Sequence, residues 1–186
     1  MQLLLALAGA LDRLGRTIGK TVRWLAVLLV LIQFVVVVLR YAFGTSYIWM
    51  QESVLYANAT LFMLAIAYTF LVDQHVRVDL LYARWSARRR ALVDLLGILS
   101  AVLPFCGLVI WASWSYVAVS FRMGEGPMQV GGLPLLPWLK ALIPAMATLL
   151  ALQALAVALR CLAVLADRAD THLPHRGGHG EPEVPR

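Results

Sequence analysis

The residues in this chain that can titrate, ligate or attack are few, and their spacing does not build a reaction centre. Glu52 stands just before the apolar run Ser53–Val72, and His75 follows that run within His75-Val-Arg77-Val-Asp79. His172, His175 and His179 lie in a Pro/Gly-rich polar end. Metal sites need several ligands at defined spacings, so His75 alone reads as a cap or interface hydrogen bond. The three C-terminal histidines offer weak metal binding at most, because that segment has little apolar surface to bury and reads as disordered. There is no nucleophile elbow, P-loop, HExxH or CxxC. Cys106 falls inside one apolar run and Cys161 at the edge of another. A helix rises about 1.5 Å per residue, so the two sulfurs sit at different depths and read as packing residues. No apolar run holds a histidine for bis-His haem or an acid or base at mid-depth, where proton relays and ion-coupling sites usually lie. The expectation is a chain that is not an enzyme and has no cofactor or metal. Glu52 has two readings: a carboxylate favoured by the positive end of a helix dipole, or a polar contact with another subunit or an ion.

The elements that would carry these residues are membrane helices. Of 186 residues, 61% are hydrophobic and only 14% charged, where a soluble domain is nearer half apolar and a quarter charged. A span needs about 20 apolar residues as a helix, and four runs qualify, at 22–39, 53–72, 95–121 and 139–159. The predicted fold is all-α and polytopic, with a membrane domain over 22–165. The Val35–Val38 run has β propensity, but an open strand is excluded in lipid, where backbone groups must be paired within the segment. Residues 1–21 read as an N-terminal amphipathic helix in the interface. Leu4, Leu7, Leu11, Leu14 and Ile18 share one face, and Asp12, Arg13, Arg16 and Lys20 lie between them. The loop 73–94 reads as a short amphipathic cytoplasmic helix. Pro104 is expected to kink the third span. Trp49 and Trp138 read as interfacial aromatics, and Pro144 lies near the start of the last span. Residues 166–186 read as a disordered tail from their composition.

Charge sets the orientation. The sixteen Lys and Arg residues give a net charge of +6, which here reads as membrane topology and not as nucleic-acid binding. Thirteen of them flank the two ends and the central loop, including Arg77, Arg84, Arg88, Arg89 and Arg90. Only Arg40, Arg122 and Lys140 border the other two loops. By the loop-charge rule both termini and the central loop are cytoplasmic, with Arg84 and Arg88–Arg90 setting topology and meeting anionic membrane lipids. The amides and hydroxyls within the runs, Gln33, Asn58, Thr60, Ser100, Thr148 and Gln153, read as interhelical glue. Gln33 and Gln153 are expected at similar depth.

Several short motifs then line up in order. Arg40-Tyr41-Ala-Phe43 closes the first span, and Trp49-Met-Gln-Glu52 opens the second. His75-Val-Arg77-Val-Asp79-Leu-Leu81 follows it, and Leu136-Pro137-Trp138, Ile143-Pro144 and Leu152-Gln153 mark the last. Over about residues 20–160 the chain resembles the small membrane subunit of TRAP (tripartite ATP-independent periplasmic) transporters, the DctQ-like family. One departure is Leu71-Val72-Asp73, where the family often has a basic residue before the histidine. The resemblance implies a multi-pass subunit of the bacterial inner membrane that braces a large multi-span permease subunit. It also implies a periplasmic substrate-binding protein, sodium coupling and an organic-acid substrate. Trp49, Glu52, His75, Arg77, Asp79, Trp138 and Pro144 are then candidate partner-contact or structural residues, and the polar tail implies a separate, unfused subunit. The alternatives are an autonomous homo-oligomeric transporter, with Glu52 its one candidate acid, and the small subunit of another tripartite carboxylate transporter. A redox-enzyme anchor is disfavoured by the missing haem ligands.

Overall fold

The structure, a computed structural model, describes residues 2–72 and 85–166. All regular elements among the described residues are helical. In order they are α1 (Gln2–Ala42), α2 (Ile48–Leu71), α3 (Ala87–Gly97), a π turn (Ile98–Val102), α4 (Leu103–Met123) and α5 (Leu136–Ala166). With α3 to α4 taken as one stretch, four helices are long and apolar enough to cross a membrane. The expected all-α fold with four spans is what the chain adopts.

Two boundaries differ from the sequence reading. Residues 1–21 and the first span do not part: α1 runs unbroken over 41 residues. No Pro or Gly pair interrupts it, and Thr17 and Thr21 return their hydroxyls to the Arg13 and Thr17 carbonyls one turn back. Likewise Arg88–Arg90 open the helix that becomes the third span. His75, Arg77, Asp79 and Arg84 lie outside the described residues, as does the 73–84 part of the expected loop helix.

A π turn, Ile98–Val102, stands immediately ahead of Pro104 in the third span. Proline has no N–H to give to the carbonyl four residues back, and its ring crowds that carbonyl. The helix widens just ahead of it, and the Leu103 N–H bonds to the Ile98 carbonyl, five residues back. Extra-residue turns of this kind absorb such a defect without ending the helix.

α5 is the centre of the bundle. It buries ten residues, five of them alanines, and packs against each of α1, α2, α3 and α4. One cluster joins Ala91 and Ile98 to Ala154, Val157, Ala158 and Cys161; a second joins Cys106 to Ala147 and Leu150. Both cysteines are buried, each in its own cluster. Small side chains allow close backbone approach, which is how helices gain van der Waals contact where no hydrophobic effect drives them together.

The same logic sets the face of α1. The buried positions of its first half are Ala8, Asp12, Gly15, Gly19 and Val22, spaced four and three apart. Leu7 and Leu14 are exposed at 50% and 45%. The small residues therefore pack and the leucines point outward. At Gly19 the approach to α2 is close enough that an added Cβ would overlap Tyr68 at its Cβ and ring base. Gly19→Ala should therefore destabilise the bundle by about 1–3 kcal/mol, the usual range for overpacking, read as a lower unfolding midpoint in detergent. The double variant with Tyr68→Ala should recover part of that loss, and strict additivity of the two would place the clash elsewhere.

Candidate functional site

Most of the charged side chains among the described residues collect at the two ends of the bundle. One end holds the α1–α2 turn and the 124–135 loop. The other holds the start of α1, the start of α3 and the end of α5.

At the first end Glu52 lies just past the first turn of α2 and is only 6% exposed. Its Oε2 accepts a 2.6 Å bond from the Leu133 N–H, 81 residues away in sequence. That bond ties the long loop to the mouth of α2. The neighbouring Gly132 is required by the same contact, since a Cβ there would overlap the Glu52 carboxylate. The Glu52 Oε1 and the Tyr56 hydroxyl are buried without a hydrogen-bond partner among the described residues. Of the two sequence readings of Glu52, the geometry adds a third: an intrachain clamp on a loop that periodicity cannot place.

A second fastening lies beside it. α4 ends at Gly124 in a left-handed conformation, with the Glu125 N–H on the Ser120 carbonyl. This turn returns the Glu125 side chain to the helix, where the Ser120 hydroxyl donates to its Oε2 at 2.6 Å. The Lys140 ammonium of α5 pairs with the same oxygen and stands 4.2 Å from the Tyr116 ring centroid. Lys140 and Ser120, both donating, hold the Glu125 carboxyl below the usual carboxylate range. Trp138 meets Phe121 edge-on at 5.3 Å, yet remains 64% exposed. Trp49 is 48% exposed and tilts against Tyr47. Both tryptophans thus sit at the loop end with open faces, and Pro144 is a half-buried residue inside an unbroken α5. Glu52 and Trp138 belong to the same end of the bundle, while Pro144 supports the helix that carries Trp138.

The other end is organised by Asp12, which is 4% exposed. Its Oδ1 accepts from the Gln153 side-chain amide at 2.9 Å, and its Oδ2 pairs with the Arg160 guanidinium. Arg16, one turn on, stands 3.6 Å from the same oxygen. This overturns the expectation that Gln33 and Gln153 lie at similar depth. Gln33 lies 21 residues beyond Asp12 on one continuous helix, roughly 30 Å away at the helical rise. A charge-assisted bond to a carboxylate also outweighs an amide–amide bond. Sequence reasoning treated Asp12 only as an interruption of a leucine face; its register with Ala8, Gly15 and Gly19 was the available signal. Arg88 and Arg89 are exposed here, and the Arg90 Nε donates to the Trp85 carbonyl at 2.9 Å.

These carboxylates are engaged by donors of the same chain, so the arrangement fastens helices and a loop. Glu52→Ala should leave the Leu133 N–H unpaired and cost about 1–3 kcal/mol, while Glu52→Gln keeps an acceptor oxygen and should cost less. Denaturant unfolding in detergent checks the order, and equal losses would show that charge matters more than the acceptor. For Glu125, a carboxyl held low in the folded chain contributes stability above the ordinary carboxylate value, about 4.3. That contribution is lost as pH falls through the lowered value. Proteolysis of the 124–135 loop should therefore quicken at acid pH in the parent chain and show a weaker acid dependence in Glu125→Gln.

With this geometry in view, comparison with known families gives a match. The model of the tripartite ATP-independent periplasmic transporters, DctQ component, covers residues 29–164. Neither a curated protein nor a solved structure gives a match. The matched stretch runs from the second half of α1 through α5, and so takes in part or all of each of the four candidate spans together with the Glu52–Leu133 and Glu125–Lys140 fastenings. The chain therefore belongs to the DctQ family, the small membrane component of tripartite ATP-independent periplasmic transporters.

Proposed function

We infer that this chain is a fixed membrane scaffold for a larger multi-span permease subunit. A periplasmic binding protein supplies an organic anion, and sodium drives its uptake. The observation that carries the reading is the family match over 29–164. The polar fastenings agree with it: Asp12, Glu52 and Glu125 each hold helix ends or a loop of this same chain. A subunit that translocates substrate by itself must rearrange around a central site. A subunit pinned at both ends suits bracing.

The orientation follows from charge. Arg13, Arg16, Lys20, Arg88–Arg90 and Arg160 lie toward the end with the start of α1, whereas Arg40, Arg122 and Lys140 lie toward the loop end. Basic residues favour the cytoplasmic side, so both termini belong in the cytoplasm. Trp49, Glu52 and Trp138 then face the periplasm, in the inner membrane of a bacterium. The exposed rings of Trp49 and Trp138 are suited to the headgroup layer or to a partner. His75, Arg77 and Asp79 belong on the cytoplasmic side by the same rule.

The decisive test is reconstitution in liposomes. The chain alone should move no substrate; with the large subunit and binding protein it should support sodium-dependent uptake of an organic anion. Uptake by the chain alone would promote the autonomous-transporter reading. Trp138→Ala should lower uptake through assembly without changing which substrate is chosen. Reporter fusions after Arg90 and after Asp167 should read cytoplasm, and one within 124–132 should read periplasm; the reverse pattern would invert the topology.

A further inference from the structure

A polar side chain inside a membrane helix has few ways to be satisfied. Hydroxyls turn back on their own helix: Thr60 donates to the Tyr56 carbonyl, Thr69 to Ala65 and Thr148 to Pro144. Asn58 does not. It is exposed, and no hydrogen bond of its amide is made among the described residues. It lies ten residues after Ile48 and thirteen before Leu71, about 15 Å and 20 Å from the two helix ends at the helical rise. A side chain that short reaches neither headgroup layer from there. Its neighbours on the same face, one turn either way, are Leu55 and Phe62, exposed at 45% and 69%.

Within α2 only Glu52 is buried among the described side chains, so the helix lies at the margin of the bundle with one face bare. Acyl chains offer an amide no hydrogen bond, and an unpaired amide in hydrocarbon is strongly unfavourable. The face is thus complementary to protein carrying a polar group at mid-depth. α1 repeats the observation. Gln33 is exposed and unbonded among the described residues, nine residues before the end of α1 at Ala42. A second copy of this chain docked by a twofold axis along α2 would pair Asn58 with its equivalent and leave Gln33 in lipid. A multi-span partner presents several helices and can answer both amides.

We propose that the Leu55–Asn58–Phe62 face of α2 is the surface on which a transmembrane helix of the large permease subunit docks, with Asn58 hydrogen-bonded to a polar side chain of that helix at mid-depth. This rests on the scaffold reading above and deepens it by naming the surface. Leu55 and Phe62 supply contact area, and the amide fixes the register. Interhelical hydrogen bonds in membranes are individually modest, so Asn58 acts as a register pin on an otherwise apolar contact.

The test uses the full chain co-expressed with its large subunit. p-Benzoylphenylalanine in place of Asn58 should, on illumination of membranes, cross-link to the large subunit. The same probe in place of Leu108, an exposed residue of α4, should give at least about fivefold less of that product, since a benzophenone reacts only with what it touches. Asn58→Leu should weaken co-purification by about threefold to tenfold, the effect of one such bond, and Asn58→Gln should retain most of it. The unfolding midpoint of the isolated chain should not fall in Asn58→Leu, because the amide makes no bond within the chain. A cross-link only to a second copy, only lipid adducts, or unchanged co-purification of Asn58→Leu would each overturn the proposal. If the unaltered chain still co-purifies with the large subunit in those cases, the scaffold reading stands and the docking face is elsewhere. If the unaltered chain does not co-purify, both fall together.

Discussion

A carboxylate enclosed between membrane helices must find its donors within the protein, since neither lipid nor a neighbouring apolar side chain supplies one. Asp12 meets that demand with Gln153 and Arg160, and the consequence reaches through the fold. It fixes the relative depth of the first and last helices. It makes the N-terminal segment part of the bundle, with Ala8, Gly15 and Gly19 as its packing face. It holds together the two elements that would otherwise be most free to splay, the start of α1 and the end of α5. Removing Asp12 would leave the buried Gln153 amide without this acceptor, and an unmet buried donor costs more than the bond itself contributes.

The loop end solves the same problem with different parts. The 124–135 segment is too rich in Gly and Pro to form a helix, so its backbone groups need specific partners. Glu52 takes the Leu133 N–H, and Glu125 gathers Ser120 and Lys140. Each carboxylate joins residues of different elements. The two ends are therefore fastened for related reasons, while the spans between them touch mainly through alanine, glycine and cysteine.

That division explains the asymmetry of the bundle. α5, rich in small residues, can be approached on every side and buries ten positions. α1 and α2 carry large side chains on their outer faces, among them Trp24, Phe34 and Phe62 at 65%, 66% and 69% exposure. A membrane component with a packed centre and wide apolar flanks has surface to offer both lipid and a partner. The flank of α2 differs from a purely lipid-facing one by the amide at its middle.

The fold class was legible in the sequence because hydrocarbon imposes one solution on an uncharged run of sufficient length. The four spans and the packing role of both cysteines follow from local residue types. Glu52 was visible as an unusual acid at a helix mouth. Its partner was not, since a hydrogen bond to a backbone N–H 81 residues away leaves no trace in composition or spacing. The leucine periodicity of the N-terminal helix did not show its packing side, because in a membrane the larger apolar residue suits lipid and the smaller one suits a neighbouring helix. Periodicity finds a face but does not say which solvent it meets. Tertiary structure decided that, together with the depth of Gln153, the pairing of Asp12 and the exposure of Asn58. Each depends on where a second helix lies, and that distance is set by the small residues between them.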